Sequence, residues 1–361
     1  MTDPLFITWD GGGNLPPALG IAAELARRGG SARFLGHASQ RAAVESAGFP
    51  FEAIRSGDYD SAAPRGTVSG VAALTGIFAD RTIGAQAVEA VRRDGADVVV
   101  VDCLLGGAAE VVRASGVPVV SLVHSLLGYF ERNARGPIGG IVWLRGARMT
   151  TPLEEMPAIV AARQDFESSR RLPANARHVG VVWRGTPELA HAAGARPRVL
   201  VSLSTTRFPG QQRALQAIVD ALGGLDVDAV VTTGPSIDPA SLRAPANVDV
   251  RSSGDHTALL STASLLIGHG GHGTTMRALA AGVPVLVLPM HPLMDQPEIG
   301  RAVERLGAGR MLPKSSSVER IRSAVAELLA SDGARSSARD IGASIREADG
   351  AIAAADLIEA V

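Results

Sequence analysis

Lysine is almost missing from this chain. Lys314 is the only one; the other basic residues are arginines, in a background rich in Ala and Gly that suggests a GC-rich bacterial genome. Cysteine is as scarce. Cys103 stands alone, so no internal disulfide can form, and the content fits a reducing cytoplasm. Aromatic residues make up 4% and the formal net charge is −1. That balance gives no electrostatic case for nucleic acid or for an anionic membrane, and few rings on which bases could stack. No run approaches the roughly 18 apolar residues of a spanning helix. The opening Met1-Thr2-Asp3-Pro4 has no basic segment, and the apolar run after it is too short for a signal peptide. What is present is globular: 361 residues, 46% hydrophobic and 20% charged, a length that suits two domains.

Residues 265–309 organise the rest. An apolar run over 263–267 reads as a buried strand. Gly268-His269-Gly270-Gly271-His272-Gly273 follows, then Thr274 and Thr275, then Met276, Leu279 and Ala280 at helical spacing. Gly282 suits the helix stop, and Pro284 opens the next apolar run, to 288. Strand, glycine-rich turn and helix N-terminus together make an anion site. Glycines let the backbone approach a phosphate, the threonines can add hydroxyl donors, and the helix dipole favours negative charge. His269 can donate an imidazole N–H. The same glycines could instead serve only a tight turn. The pattern is neither a dinucleotide fingerprint nor a P-loop, because no Gly-Lys-Ser/Thr follows.

His269-Gly270-Gly271-x-Gly273-Thr274, Ala278-Leu279, Gly282-Val283-Pro284, Pro289, Asp295-Gln296 and Gly307-x-Gly309 occur in this order. The series resembles the donor-sugar signature of the GT-B glycosyltransferases of family 1, of the bacterial natural-product type. The resemblance implies an α/β fold of two Rossmann-like parallel-sheet domains facing across a cleft. It implies an enzyme that moves a sugar from a UDP- or TDP-sugar to a small acceptor. His269, Gly270, Gly271, Gly273 and Thr274 would hold the diphosphate, and Asp295 and Gln296 the sugar hydroxyls. The 290–294 insert lengthens the step from Pro289 to Asp295 relative to the family.

The first half alternates strands and helices, which means a parallel sheet with right-handed crossovers. Strands are expected at 5–9, 32–35, 51–54, 98–101 and 117–123, with helices at 16–28, 40–47 and 105–114. Ligands in such sheets bind at the carboxyl ends of strands. That rule selects Asp10 to Asn14, His37, Asp102 with Cys103, and His124 with Ser125. In the resembling family the turn after the first strand reads Gly-His-x-x-Pro, and its histidine takes the acceptor's proton. Here Gly13 and Pro17 match and Asn14 replaces the histidine. An amide has no useful basicity. Asp102 falls where the family places the aspartate that orients the histidine, and His124 lies one strand further along the same rim. Either could assist deprotonation. Otherwise the acceptor needs little help, as with C- or N-linkage, or the protein binds a nucleotide sugar without transferring it. A nucleotide-sugar epimerase is a further reading. In the plainer readings Asp102 only caps the 105–114 helix, His124 is a satisfied histidine, His37 lies in a solvated loop, and Cys103 is a small buried residue.

Residues 55–81 and 126–177 show no clear pattern and read as long loops, which the resemblance assigns to acceptor binding. Tyr129, Phe130, Trp143, Leu144, Met149 and Met156 could line such a pocket or simply pack on the sheet. The expected division is an acceptor domain at 1–182, a linker at 183–197, a donor domain at 198–345, and a last helix at 346–361 that crosses back to the first domain. In the donor domain, Thr205 matches a residue near the diphosphate, Ser204 replaces the family's glycine, and His256 is placed to contact the base. Asp226-Val227-Asp228 resembles a metal motif of another glycosyltransferase fold but precedes its strand, so it reads as a solvated turn, and no metal is expected. The expectation is metal-independent, inverting transfer with a nucleotide sugar as co-substrate and no other cofactor. The partners are a donor and a small, largely apolar acceptor, with no nucleic acid, no membrane insertion, and a homodimer left open.

Overall fold

The computed structural model describes every residue except 1, 58, 60, 62–66, 169–172, 186–187, 192–194 and 205. It forms two units, residues 1–184 with 349–361, and residues 185–348.

The first unit holds a seven-stranded sheet. Its strands are β1 (Pro4–Ile7), β2 (Arg33–Gly36), β3 (Phe51–Ala53), β4 (Val98–Asp102), β5 (Val119–Val123), β6 (Ala158–Val160) and β7 (Ala176–His178). All pair in parallel, in the order β3-β2-β1-β4-β5-β6-β7. Strand β4 reads Val-Val-Val-Val-Asp and is buried at every position, the pattern of a strand covered on both faces. Phe6 and Phe34 stack across β1 and β2 with ring centroids 5.0 Å apart. The final helix, Gly350–Glu359, belongs to this unit. Its Ala354, Ala355 and Ile358 join Ile21, Ala22 and Leu25 of the helix Leu15–Arg27 in one core cluster. Arg28 bonds Asp356, Glu359 and the Ile352 carbonyl. Gly350 is needed there, because a Cβ would stand 2.7 Å from the Val181 carbonyl oxygen.

The long loops expected from the sequence are in fact largely helical. The helices Thr67–Ala79, Leu127–Arg135 and Pro137–Leu144, with strands β6 and β7, occupy them. Residues 67–79 and 137–144 are apolar nearly all round, so no stripe of helical period marks them. Phe130, Met149 and Met156 pack in the core, while Trp143 and Leu144 are exposed.

The second unit holds β8 (Arg198–Ser202), β9 (Asp228–Thr232), β10 (Val248–Arg251), β11 (Leu265–Gly268), β12 (Val285–Val287) and β13 (Gly309–Met311). They are again parallel, in the order β10-β9-β8-β11-β12-β13. Asp226 and Asp228 are exposed and both face Arg196, so the sequence Asp-x-Asp is a solvated ion-pair cluster. Ala190 and His191 donate backbone hydrogen bonds to Ala281 and Ser261 of this unit. Among the described residues, no helix is long and apolar enough to cross a membrane.

Candidate functional site

Each sheet has a switch point where neighbouring strands send their connections in opposite directions. In the first unit it lies between β1 and β4, and in the second between β8 and β11. Open parallel sheets bind ligands at such points.

Asp102, the last residue of β4, is 3% exposed. Its Oδ1 accepts from the Trp9 indole Nε1 at 3.1 Å and from the Leu104 backbone N–H at 3.0 Å. Its Oδ2 stands 2.9 Å from Nδ1 of His124, which follows β5. The distance is short, but the Nδ1 N–H does not point along it closely enough to count as a hydrogen bond. A carboxylate facing Nδ1 fixes the proton there and leaves Nε2 as the basic nitrogen. His124 is 12% exposed at its side chain, so the ring is sheltered but reachable. Its other neighbour is Phe130, edge-on with centroids 4.9 Å apart. The helix carrying Phe130 is held by a residue the sequence did not flag. Glu167 is buried and accepts from the backbone N–H groups of Leu127 and Gly128 at 2.7 and 3.1 Å, with His178 Nε2 at 3.1 Å. Forty residues separate cap and helix, so no local pattern could reveal it.

Asn14 does not take the base's place. It is 1% exposed, and its Nδ2 donates to the Trp9 carbonyl at 2.9 Å. The amide braces the turn after β1. His37 is not in a solvated loop: it is 3% exposed, and its Nδ1 accepts from the Asp10 backbone N–H at 3.0 Å. Asp102, Cys103 and His124 have candidate ligand atoms within 4.8 Å of one another. The Cys103 thiol, however, is pushed well up by burial and then by the Asp102 charge, so it stays protonated and resembles a buried apolar residue more than a ligand.

In the second unit, His269 follows β11, and the helix His272–Ala280 begins after Gly271. Gly270 has φ +85°, and a Cβ on it would stand 2.7 Å from the Gln296 carbonyl oxygen. Only glycine brings the turn this close to the next helix. A Cβ on Gly271 would meet His269 Nε2 at 2.5 Å, whereas one on Gly273 would meet nothing within 4 Å. Thr274 is half-buried and Thr275 is buried. Thr205 lies outside the described residues. Ser204 closes the turn after β8 by accepting from the Thr206 N–H at 3.0 Å. His256 Nε2 sits 3.3 Å from both Ser202 Oγ and Thr232 Oγ1, at the ends of β8 and β9. Burial, then Arg277, lowers its pKa. Asp295 is the N-cap residue of the helix Gln296–Arg305. Gln296 is 4% exposed, and its Oε1 accepts from the Met290 and His291 backbone N–H groups at 2.7 and 3.1 Å. That oxygen holds the 290–294 insert and is not available to a sugar.

Burial pushes the His269 pKa down to about 4, partly offset by a Ser202 backbone group, and its Nδ1 has no hydrogen-bond partner. The ring is uncharged at neutral pH. The unfolded chain protonates first as pH falls from 6.5. The stability carried by the neutral ring is therefore complete above about pH 6.5 and is lost between there and about pH 4. Denaturant unfolding at pH 7 and pH 4.5 should show the wild type losing about 1–3 kcal/mol more than His269→Gln. Equal losses would mean the ring is not buried neutral.

Comparison with known proteins agrees with this geometry. Residues 216–349 match the erythromycin biosynthesis protein CIII-like C-terminal domain. An NDP-glycosyltransferase of Bacillus subtilis is 34% identical over 167 residues, 46% of this chain and 42% of that protein. The chain thus aligns with less than half of that relative. The 4'-demethylrebeccamycin synthase of Lentzea aerocolonigenes is 27% identical across 98% of both chains. Among solved structures, the glycotransferase of kitacinnamycin superposes with a TM-score of 0.79 at 24% identity, over 99% of this chain and 98% of that one. The glycosyltransferase VinC in complex with DTDP gives 0.75 at 20%, over 99% and 98%. Two parallel α/β sheets in this order have the GT-B fold, and residues 216–349 carry the likeness to the EryCIII-like C-terminal domain.

Proposed function

We propose that this protein transfers a sugar from a UDP- or TDP-sugar to a small, largely apolar acceptor of the natural-product kind, without a metal and with inversion. The pairing of His124 with Asp102 carries the reading. His124 Nε2 takes the proton from the acceptor, the freed acceptor atom bonds to the anomeric carbon, and the bond from that carbon to the diphosphate breaks. Asp102 steadies the imidazolium that forms. In the second unit, the turn at His269, Gly271 and Gly273 with Thr274 receives the diphosphate on backbone N–H groups and the helix dipole, which stabilise the leaving charge. His256 sits toward the nucleoside, and Asp295 takes sugar hydroxyls. No cofactor beyond the nucleotide sugar is required. Because a base is present despite Asn14, an ordinary hydroxyl acceptor is within reach, and C- or N-linkage is not forced.

The TDP choice draws support from the VinC structure with DTDP, and the acceptor class from the name of the rebeccamycin-related relative. Incubation with UDP- and TDP-hexoses and a panel of phenolic and polyketide acceptors tests the reading by mass spectrometry. A glycosylated acceptor with an equal amount of released nucleoside diphosphate is the expected result. An unaltered mixture would point to a non-catalytic binder, and an altered free sugar nucleotide to an epimerase.

A further inference from the structure

The lone lysine occupies a particular place. Lys314 follows β13, and its Nζ donates to two carbonyls, Pro209 at 2.9 Å and Met290 at 2.8 Å. Pro209 lies in the loop after β8, and Met290 in the loop after β12. These loops lie at the carboxyl ends of their strands and lead to Thr206 on one side and Asp295 on the other. The backbone of Met290 is therefore held on both sides of its Cα, its N–H by the Gln296 Oε1 and its carbonyl by Lys314. Phe208 and His291 add a ring contact between the same two loops, with centroids 5.6 Å apart.

In a chain that otherwise uses arginine throughout, the ammonium has a physical reason here. One nitrogen carries three N–H donors at a single point, so it can meet two converging carbonyls at once. A guanidinium can also serve two acceptors from one Nη, but its donors are confined to one plane at the end of a longer, bulkier head group, which does not fit the gap a single Nζ fills between these two loops. We propose that Lys314 is a positioning residue of the donor site: it clasps the loop after β8 to the loop after β12 and so sets the span across which the nucleotide sugar is held. The proposal rests on the donor-site reading above.

With a single lysine, 15N-lysine labelling gives a single side-chain ammonium resonance. Clasped between two carbonyls, that ammonium exchanges slowly with water, and its signal shifts when UDP or TDP saturates the protein. In Lys314→Met, nucleotide Kd and donor KM rise about tenfold, the order expected for losing a charged hydrogen bond. Acceptor KM stays unchanged, and Lys314→Arg does not restore binding. If the wild type binds nucleotide but its ammonium signal is unmoved, or if either variant binds like the wild type, the clasp is wrong and the donor site stands. If the wild type binds neither nucleotide, the donor-site reading falls and the clasp with it. The resonance is read on the unmodified protein, so the test survives a variant that fails to fold.

Discussion

Replacing His124 with alanine lowers kcat by about 10²–10⁴, the contribution of a well-placed general base, and leaves the Kd for nucleoside diphosphate unchanged. The two readouts separate because His124 and the phosphate turn lie in different units. Asp102→Asn acts on the same quantity. An amide at 102 can still accept from Trp9 and Leu104, but it no longer presents a charge 2.9 Å from Nδ1 to hold the tautomer and stabilise the imidazolium. Asn14→Ala, by contrast, removes a brace on the Trp9 carbonyl and lowers stability more than turnover. Steady-state kinetics with calorimetry on the three variants decides this. A His124→Ala enzyme with wild-type kcat would remove the dyad from the reaction.

Gly309→Ala destabilises the second unit by more than about 4 kcal/mol, the range reserved for changes the backbone cannot absorb. A Cβ there would stand 1.9 Å from the Val285 carbonyl oxygen and 2.8 Å from Val303 Cγ1. Val285 pairs with Gly309 between β12 and β13, so relief means parting the strands. Gly273→Ala behaves oppositely. Its Cβ would enter open space, and the position is the second residue of a helix, where alanine is the better helix former by up to about 1 kcal/mol. The variant therefore unfolds at the same or a higher denaturant concentration, while its nucleotide affinity falls because the methyl occupies the space left for the diphosphate. A Gly309→Ala midpoint within experimental error of the wild type would contradict the first expectation. A Gly273→Ala protein with full nucleotide affinity would contradict the second.

These two glycines show what the sequence could and could not tell. Gly273 and Gly309 belong to the same ordered signature, but the resemblance gives only Gly273 a place at the diphosphate. The structure divides them: Gly273 faces open space, while Gly309 lets two strands meet. The strands around 5–9, 98–101 and 263–267 were legible because buried parallel strands are short, continuous and β-branched. Helices 67–79 and 137–144 were not, because an apolar surface on every side leaves no period to detect. Asp102 and His124 could be selected separately as strand-end residues. Their approach to 2.9 Å depends on the pairing of β4 with β5, which no local pattern records. The Trp9 indole on Asp102, the Glu167 cap and the Lys314 clasp are likewise contacts between residues distant in sequence. Gln296 matches the family pattern, yet the 290–294 insert uses its oxygen internally, a role visible only once the loop is folded.

Calorimetric titration of the protein with UDP, TDP and GDP, without added metal, asks whether the turn after β11 receives a nucleoside diphosphate. One pyrimidine diphosphate should bind at micromolar strength, about −8 kcal/mol, and His269→Ala should weaken it while the variant still unfolds cooperatively. Absence of binding by all three, or a His269→Ala protein with unchanged affinity, would contradict it.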